Sequence, residues 1–158
     1  MPTATHLHLI INHFPLFAGA IAMVVLAWAL VARSRDLTRA GLILTLVCGI
    51  GGFVAKQSGE GAEHQVEDLP WFSKDLFEEH EEAADWAWVT LAVAGVAAAV
   101  TLFRMRGDKP ARLETGITLV LLTVGFAATA KTALLGGKIR HEEIRPGFVF
   151  PASTPNDD

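Results

Sequence analysis

Residues 9–32 read LIINHFPLFAGAIAMVVLAWALVA and contain no Lys, Arg, Asp or Glu. A helix needs roughly 20 apolar residues to cross the hydrocarbon core, with about 17 as the lower limit. This stretch qualifies outright. Residues 86–103, WAWVTLAVAGVAAAVTLF, are equally free of charge. Two shorter runs, 40–55 and 117–130, reach spanning length if Lys56 and Lys131 lie near an interface or inside the bundle. Four transmembrane helices are therefore expected, at about 5–33, 38–64, 74–105 and 112–136. A soluble bundle would leave such helices apolar on every face. The first run is too long for a cleaved signal peptide, and no basic region precedes it.

The 158 residues suffice for one domain, and 51% of them are apolar. The expected fold is all-α: an integral membrane up-down four-helix bundle over 1–145, followed by a flexible Pro-containing tail over 146–158. A net charge of -4 gives no reason to expect nucleic acid as a partner. Cys48 is the single cysteine, which excludes an intrachain disulfide and a cysteine-based metal motif.

Charge sorts the connections. Arg33, Arg35, Arg39, Arg104, Arg106, Lys109 and Arg112 fall in two short ones. The connection over 57–85 is acidic, with Lys74 as its one base. The positive-inside rule then places the basic connections in the cytoplasm of an inner (plasma) membrane protein. Both termini and the acidic connection face the other side. Asp36 or Thr38 can cap helix two, Ser73 precedes helix three, and Gly107 with Pro110 breaks the chain before helix four. Gly136-Gly137 are expected to end helix four. Leu69-Pro70-Trp71-Phe72 suits the interface.

That topology brings all six histidines, His6, His8, His13, His64, His80 and His141, to the non-cytoplasmic end. Polar residues avoid apolar spans, which accounts for part of the pattern. His6 and His8 read as solvated, near the start of the chain. His13 is harder to explain that way, because apolar sequence begins before it. Any one of His64, His80 or His141 alone reads as a surface residue; together they make a candidate site. Gly52, Lys56, Glu60 and His64 are spaced by four on one helical stripe, so Glu60 is the nearest partner for Lys56.

A weak internal repeat points the same way. Gly52-Phe53-Val54-Ala55-Lys56 resembles residues 125–131, GFAATAK, and glycines and then a histidine follow each. Two related hairpins would pair His13 with His80 and His64 with His141. Chance recurrence in an Ala- and Gly-rich chain is the competing explanation.

Two ligand chemistries remain open. One is b-type haem held by His13 and His80, with His64 and His141 as a second pair. Gly19, Ala20, Gly49, Gly52, Gly95, Gly125 and Ala128 would make room, and Lys56, Lys131 and Arg140 would meet propionates. The other is zinc or iron held by His13, His64, His80 and His141 with Glu60, Glu63, Glu79 or Glu142, since imidazole and carboxylate suit these ions better than copper(I). A third reading needs no ligand: a scaffold subunit whose acidic face docks a basic soluble partner. No nucleophile-base pair or phosphate-cradling loop is present. The chain reads as an electron carrier or subunit more than a stand-alone enzyme.

His6-x-His8 followed by Asn12-His13-Phe14-Pro15 resembles the opening of the small bacterial four-helix membrane proteins of the domain-of-unknown-function 2231 type. The ending Gly136-Gly137-Lys138-Ile139-Arg140-His141 is similar to one in related membrane proteins. The resemblance implies a four-helix membrane fold with a link to redox or respiratory proteins, and it supplies no activity. Expected partners are the lipid bilayer and a c-type cytochrome or respiratory complex. Homo-oligomerisation is left open.

Overall fold

The computed structural model describes residues 3–106 and 111–150. Among these residues the chain is helical, with α1 (Ala4–Ile11), α2 (Phe14–Ala32), α3 (Arg35–Val66), α4 (Lys74–Arg104) and α5 (Arg112–Arg140), then a 3-10 turn at Glu142–Ile144. The expected all-α four-helix bundle is present. Its four spans, Ala4–Ala32, Arg35–Val66, Lys74–Arg104 and Arg112–Arg140, are long and apolar enough to cross a membrane. At about 1.5 Å per residue they exceed a hydrocarbon core of about 30 Å, so their ends reach the interfaces.

α3 packs between α2 and α4, and α5 closes the ring by packing on α4 and α2. α3 and α5 touch weakly across one diagonal, and α1 lies along α3. The first span is not one continuous helix. Pro15 has no N–H to give to Ile11, so the ladder is interrupted and α2 restarts with His13 at its N-cap. Asn12 and His13 both keep right-handed helical backbone, which makes the break shallow.

The α2–α3 corner is tight. Arg33 turns it with a left-handed φ of 53°, and the Ser34 hydroxyl then caps α3 by accepting from the Leu37 N–H at 3.3 Å. Ser34 thus takes the role expected of Asp36 or Thr38; Asp36 lies in the first turn, and the Thr38 hydroxyl donates back to the Ser34 carbonyl. Ser73 stands at the N-cap of α4 as expected. The expected break at Gly107 and Pro110, with Lys109, and the tail beyond residue 150 lie outside the described residues. Gly136-Gly137 do not end the last helix, which continues to Arg140. There the Gly137 carbonyl accepts from the His141 N–H, and Arg145 folds back to donate to the Lys138 and Ile139 carbonyls at 2.8 and 3.1 Å.

Glycine and leucine set the helix separations. Leu91 on α4 is buried. A Cβ built on Gly49 would lie 3.0 Å from the Leu91 carbonyl oxygen, and one on Gly125 would lie 2.8 Å from the Leu91 side chain and 3.2 Å from its nitrogen. Gly52 meets the same side chain at 3.1 Å. Gly49, Gly52 and Gly125, expected to make room for a planar ligand, therefore give their space to Leu91 and let α3, α4 and α5 approach closely. Buried Thr45, Thr115, Thr118 and Thr129 return their hydroxyls to the carbonyls four residues back. No buried side-chain polar atom among the described residues lacks a partner.

The Gly49→Leu variant tests this interlock. Its side chain meets backbone rather than a flexible tip, so it should lower stability by about 1–3 kcal/mol. Thermal loss of helicity in mild detergent measures the change.

Candidate functional site

The acidic ends of α3 and α4 and the start of α1 come together at one end of the bundle. Its centre is Lys56, about three turns beyond the buried Thr45 on α3. The Lys56 side chain is 10% exposed, and its Nζ lies 2.9 Å from Asp85, 3.2 Å from Glu81 and 3.3 Å from Glu60. Glu60 is the partner that helical spacing predicts. Glu81 and Asp85 come from α4, so Lys56 ties the two hairpins together. A desolvated ammonium requires such partners, and three carboxylates leave the cluster with excess negative charge.

Two imidazoles flank this cluster, and both are seated in the same way. His8 on α1 places Nδ1 3.1 Å from the Ala55 carbonyl of α3, with Ser58 Oγ at 3.3 Å. His80 on α4 places Nδ1 3.0 Å from the Thr132 carbonyl of α5. A carbonyl oxygen only accepts, so Nδ1 carries the proton in each ring and Nε2 keeps its lone pair when the ring is neutral. No hydrogen bond to either Nε2 is present among the described residues.

A glycine backs each ring. A Cβ on Gly59 would lie 3.2 Å from His8 Cε1, and one on Gly136 would lie 2.9 Å from His80 Cε1. Ala55 and Thr132 stand 77 residues apart, as do Gly59 and Gly136, and His64 and His141. The two hairpins thus repeat one device: an imidazole on the entering helix, with its carbonyl and its glycine on the leaving helix. The backbones of α1 and α4 do not touch; each packs on α3.

The other sequence candidates lie elsewhere. His13 is exposed at the N-cap of α2, with Nδ1 bonded to the Asn12 side chain. It is not the counterpart of His80 in seating; His8 is. His64 is 78% exposed beside Glu67. His141 is 61% exposed and lies 2.9 Å from Glu143. The Glu143 carboxyl is held below the usual carboxylate range, first by its own backbone N–H and then by His141. Glu63 is half-buried, while Glu79, Glu142 and Lys131 are exposed. The Arg140 guanidinium sits 4.2 Å above the Trp71 ring, which anchors the 67–73 connection to α5. Among the described residues no three His, Cys, Asp or Glu side chains gather in a metal-holding group.

Sequence reasoning missed His8, Glu81 and Asp85. The five-residue interval from Gly59 to His64 recurs from Gly136 to His141, which relates the leaving helices to each other but does not single out His8 on the entering one. For Glu81 and Asp85 no sequence signal separates them from the solvated acids around them.

Fold and site together define a helical-bundle protein with four spans of membrane-crossing length and a polar cluster at one end. Compared with protein-family models, curated proteins and solved structures, the chain finds no match.

The Lys56→Met variant should leave Glu60, Glu81 and Asp85 facing one another without their cation. The carboxylates are about half exposed, so the cost should be about 1–3 kcal/mol rather than the value for a sealed pair. Denaturation in detergent at low and high salt checks this: screening should recover part of the loss.

Proposed function

We propose that the chain is a membrane-embedded redox module that binds one b-type haem between His8 and His80. The observation that carries this reading is the matched seating of the two rings, each with Nδ1–H fixed on a carbonyl and Nε2 left as the donor nitrogen. Fixing one ring nitrogen orients the other and raises its basicity toward iron. The donor count favours haem over zinc or iron alone. A non-haem ion needs three or four protein ligands, whereas a porphyrin supplies four nitrogens and asks the protein for one or two. The seated imidazoles are two.

In fit, Leu91 takes the space at Gly49, Gly52 and Gly125, so a planar ligand would have to lie toward the end of the bundle where His8 and His80 are seated. Lys56 is held by Glu60, Glu81 and Asp85, Arg140 lies over Trp71 and Lys131 is exposed, so a propionate would have to take the place of one of the carboxylates on Lys56. Bound haem would supply reversible one-electron transfer without reaction of the protein's own groups.

The sorting of arginine and acid supports an orientation with the His8–His80 end on the non-cytoplasmic side of the inner membrane. The exposed carboxylates there, Glu78, Glu79, Glu82 and Asp85, suit a basic soluble electron carrier such as a c-type cytochrome.

Reduced-minus-oxidised spectra of the full chain, purified in mild detergent after growth with ample haem, test the reading. A Soret band and sharp α-band are expected. His8→Ala and His80→Ala should each abolish the six-coordinate signature, whereas His13→Ala should retain it. Gly136→Val, which displaces the His80 ring, should shift or weaken the band. Absence of porphyrin absorption in the folded protein would overturn the proposal, and stoichiometric zinc or iron without it would point to the non-haem alternative.

A further inference from the structure

The opposite, arginine-bearing end of the bundle holds a different feature. α2 and α5 form the loosest of the four lateral seams. An open groove of about 700 Å³ lies at the Arg112 end of this seam, lined by Leu30 of α2 and by Arg112, Gly116, Ile117, Val120 and Leu121 of α5. Gly116 forms part of the lining. Among the described helical glycines it is the one whose missing side chain leaves open space; every other has a neighbour within 4 Å of its would-be Cβ. A glycine inside a helix costs roughly 1 kcal/mol relative to alanine, and here no helix approaches to account for it.

Arg112 is the charged residue in the groove's lining. Arg112 spends one of its five N–H donors on the Leu30 carbonyl at 3.4 Å, an acceptor left over at the end of α2. Arg33 ends α2 three residues beyond Leu30 and has no ion pair among the described residues. The nearest described acid on α5, Glu114, is paired with Arg104 at 3.2 Å, so it does not oppose an anion at Arg112. An open apolar groove with a guanidinium in its lining matches a molecule with an alkyl chain and an anionic head. Arg is also the side chain best shaped for phosphate.

We propose that the α2–α5 groove holds an acyl chain of one anionic phospholipid, whose phosphate is met by Arg112 with Arg33 adding to the field. Gly116 is then the floor of an acyl slot, and the Arg112 contact with Leu30 holds the slot's two walls together.

Native mass spectrometry of the full chain, released from mixed micelles of dioleoyl-phosphatidylglycerol and dioleoyl-phosphatidylcholine, tests this. One phosphatidylglycerol should be retained in preference to phosphatidylcholine. Arg112→Gln and Arg33→Gln should each reduce that preference by about fivefold, the factor expected per basic residue near an anionic lipid. Gly116→Leu fills the slot, meets no neighbour and improves helix propensity. It should therefore keep thermal stability at or above that of the parent while losing the retained lipid. Equal retention of the two lipids would overturn the proposal, as would phosphatidylglycerol retention that Gly116→Leu leaves unchanged. A lipid-free dimer that Gly116→Leu abolishes would identify a second copy as the occupant, and would overturn it too.

Discussion

The close approach of α4 to α3 and α5 around Leu91 is the constraint on which the rest of the molecule depends. In hydrocarbon, apolar side chains gain nothing by hiding from lipid, so helices associate through packing and polar contacts. Gly49, Gly52 and Gly125 let one leucine fill a pocket shared by three helices. This fixes the axial position of α4. Glu81 and Asp85 then stand level with Lys56, and His80 stands level with Thr132 and Gly136. The polar end is therefore set by a contact several turns away in the apolar core.

Polar groups within this bundle are handled locally wherever that is sufficient. The buried threonines satisfy themselves on their own helices. Other side chains reach across seams, among them Lys56 to α4, His8 and Thr5 to α3, His80 and Arg104 to α5, Arg112 to α2, and Cys48 to the Pro15 carbonyl of α2. The charged ones lie toward the two ends of the bundle, where water and headgroups lower the cost of a charge. The two ends differ in kind. One gathers titratable groups with their partners in place, and the other presents arginines beside an open apolar surface.

Much of the fold was legible because spanning length and charge-free runs are one-dimensional properties. The runs at 9–32 and 86–103 declare themselves without any tertiary knowledge. Ser73 as a helix start was legible for the same reason. The break at residues 12–13 was less so, because Pro15 can open a helix as readily as interrupt one, and the apolar run continues across it. Gly136-Gly137 misled as a stop signal: the local cost of glycine is offset by the His80 ring that takes the space. The site was half legible. His80 and the Lys56–Glu60 pair follow from placement and helical spacing. His8 does not, since proximity to the start of a chain suggests solvation, and only the carbonyl and glycine on another helix reveal its seat. Glu81 and Asp85 differ from Glu78, Glu79 and Glu82 by helical phase relative to α3, which exists only once the helices pack.

The two seated imidazoles are not equally anchored. His80 belongs to a helix whose middle is locked by Leu91 and other buried residues. His8 belongs to α1, which has no buried residue and is fastened to α3 by the His8 bonds and by Thr5 to Gln65 at 2.8 Å. The Pro15 interruption separates α1 from the ladder of α2. With no buried residue of its own, α1 is the helix expected to open at the lowest cost. Amide exchange should run fast along α1 and slowly along α4. The seat of His8 thus rests on polar contacts at the surface of α3, whereas that of His80 is backed by the packed core of the bundle.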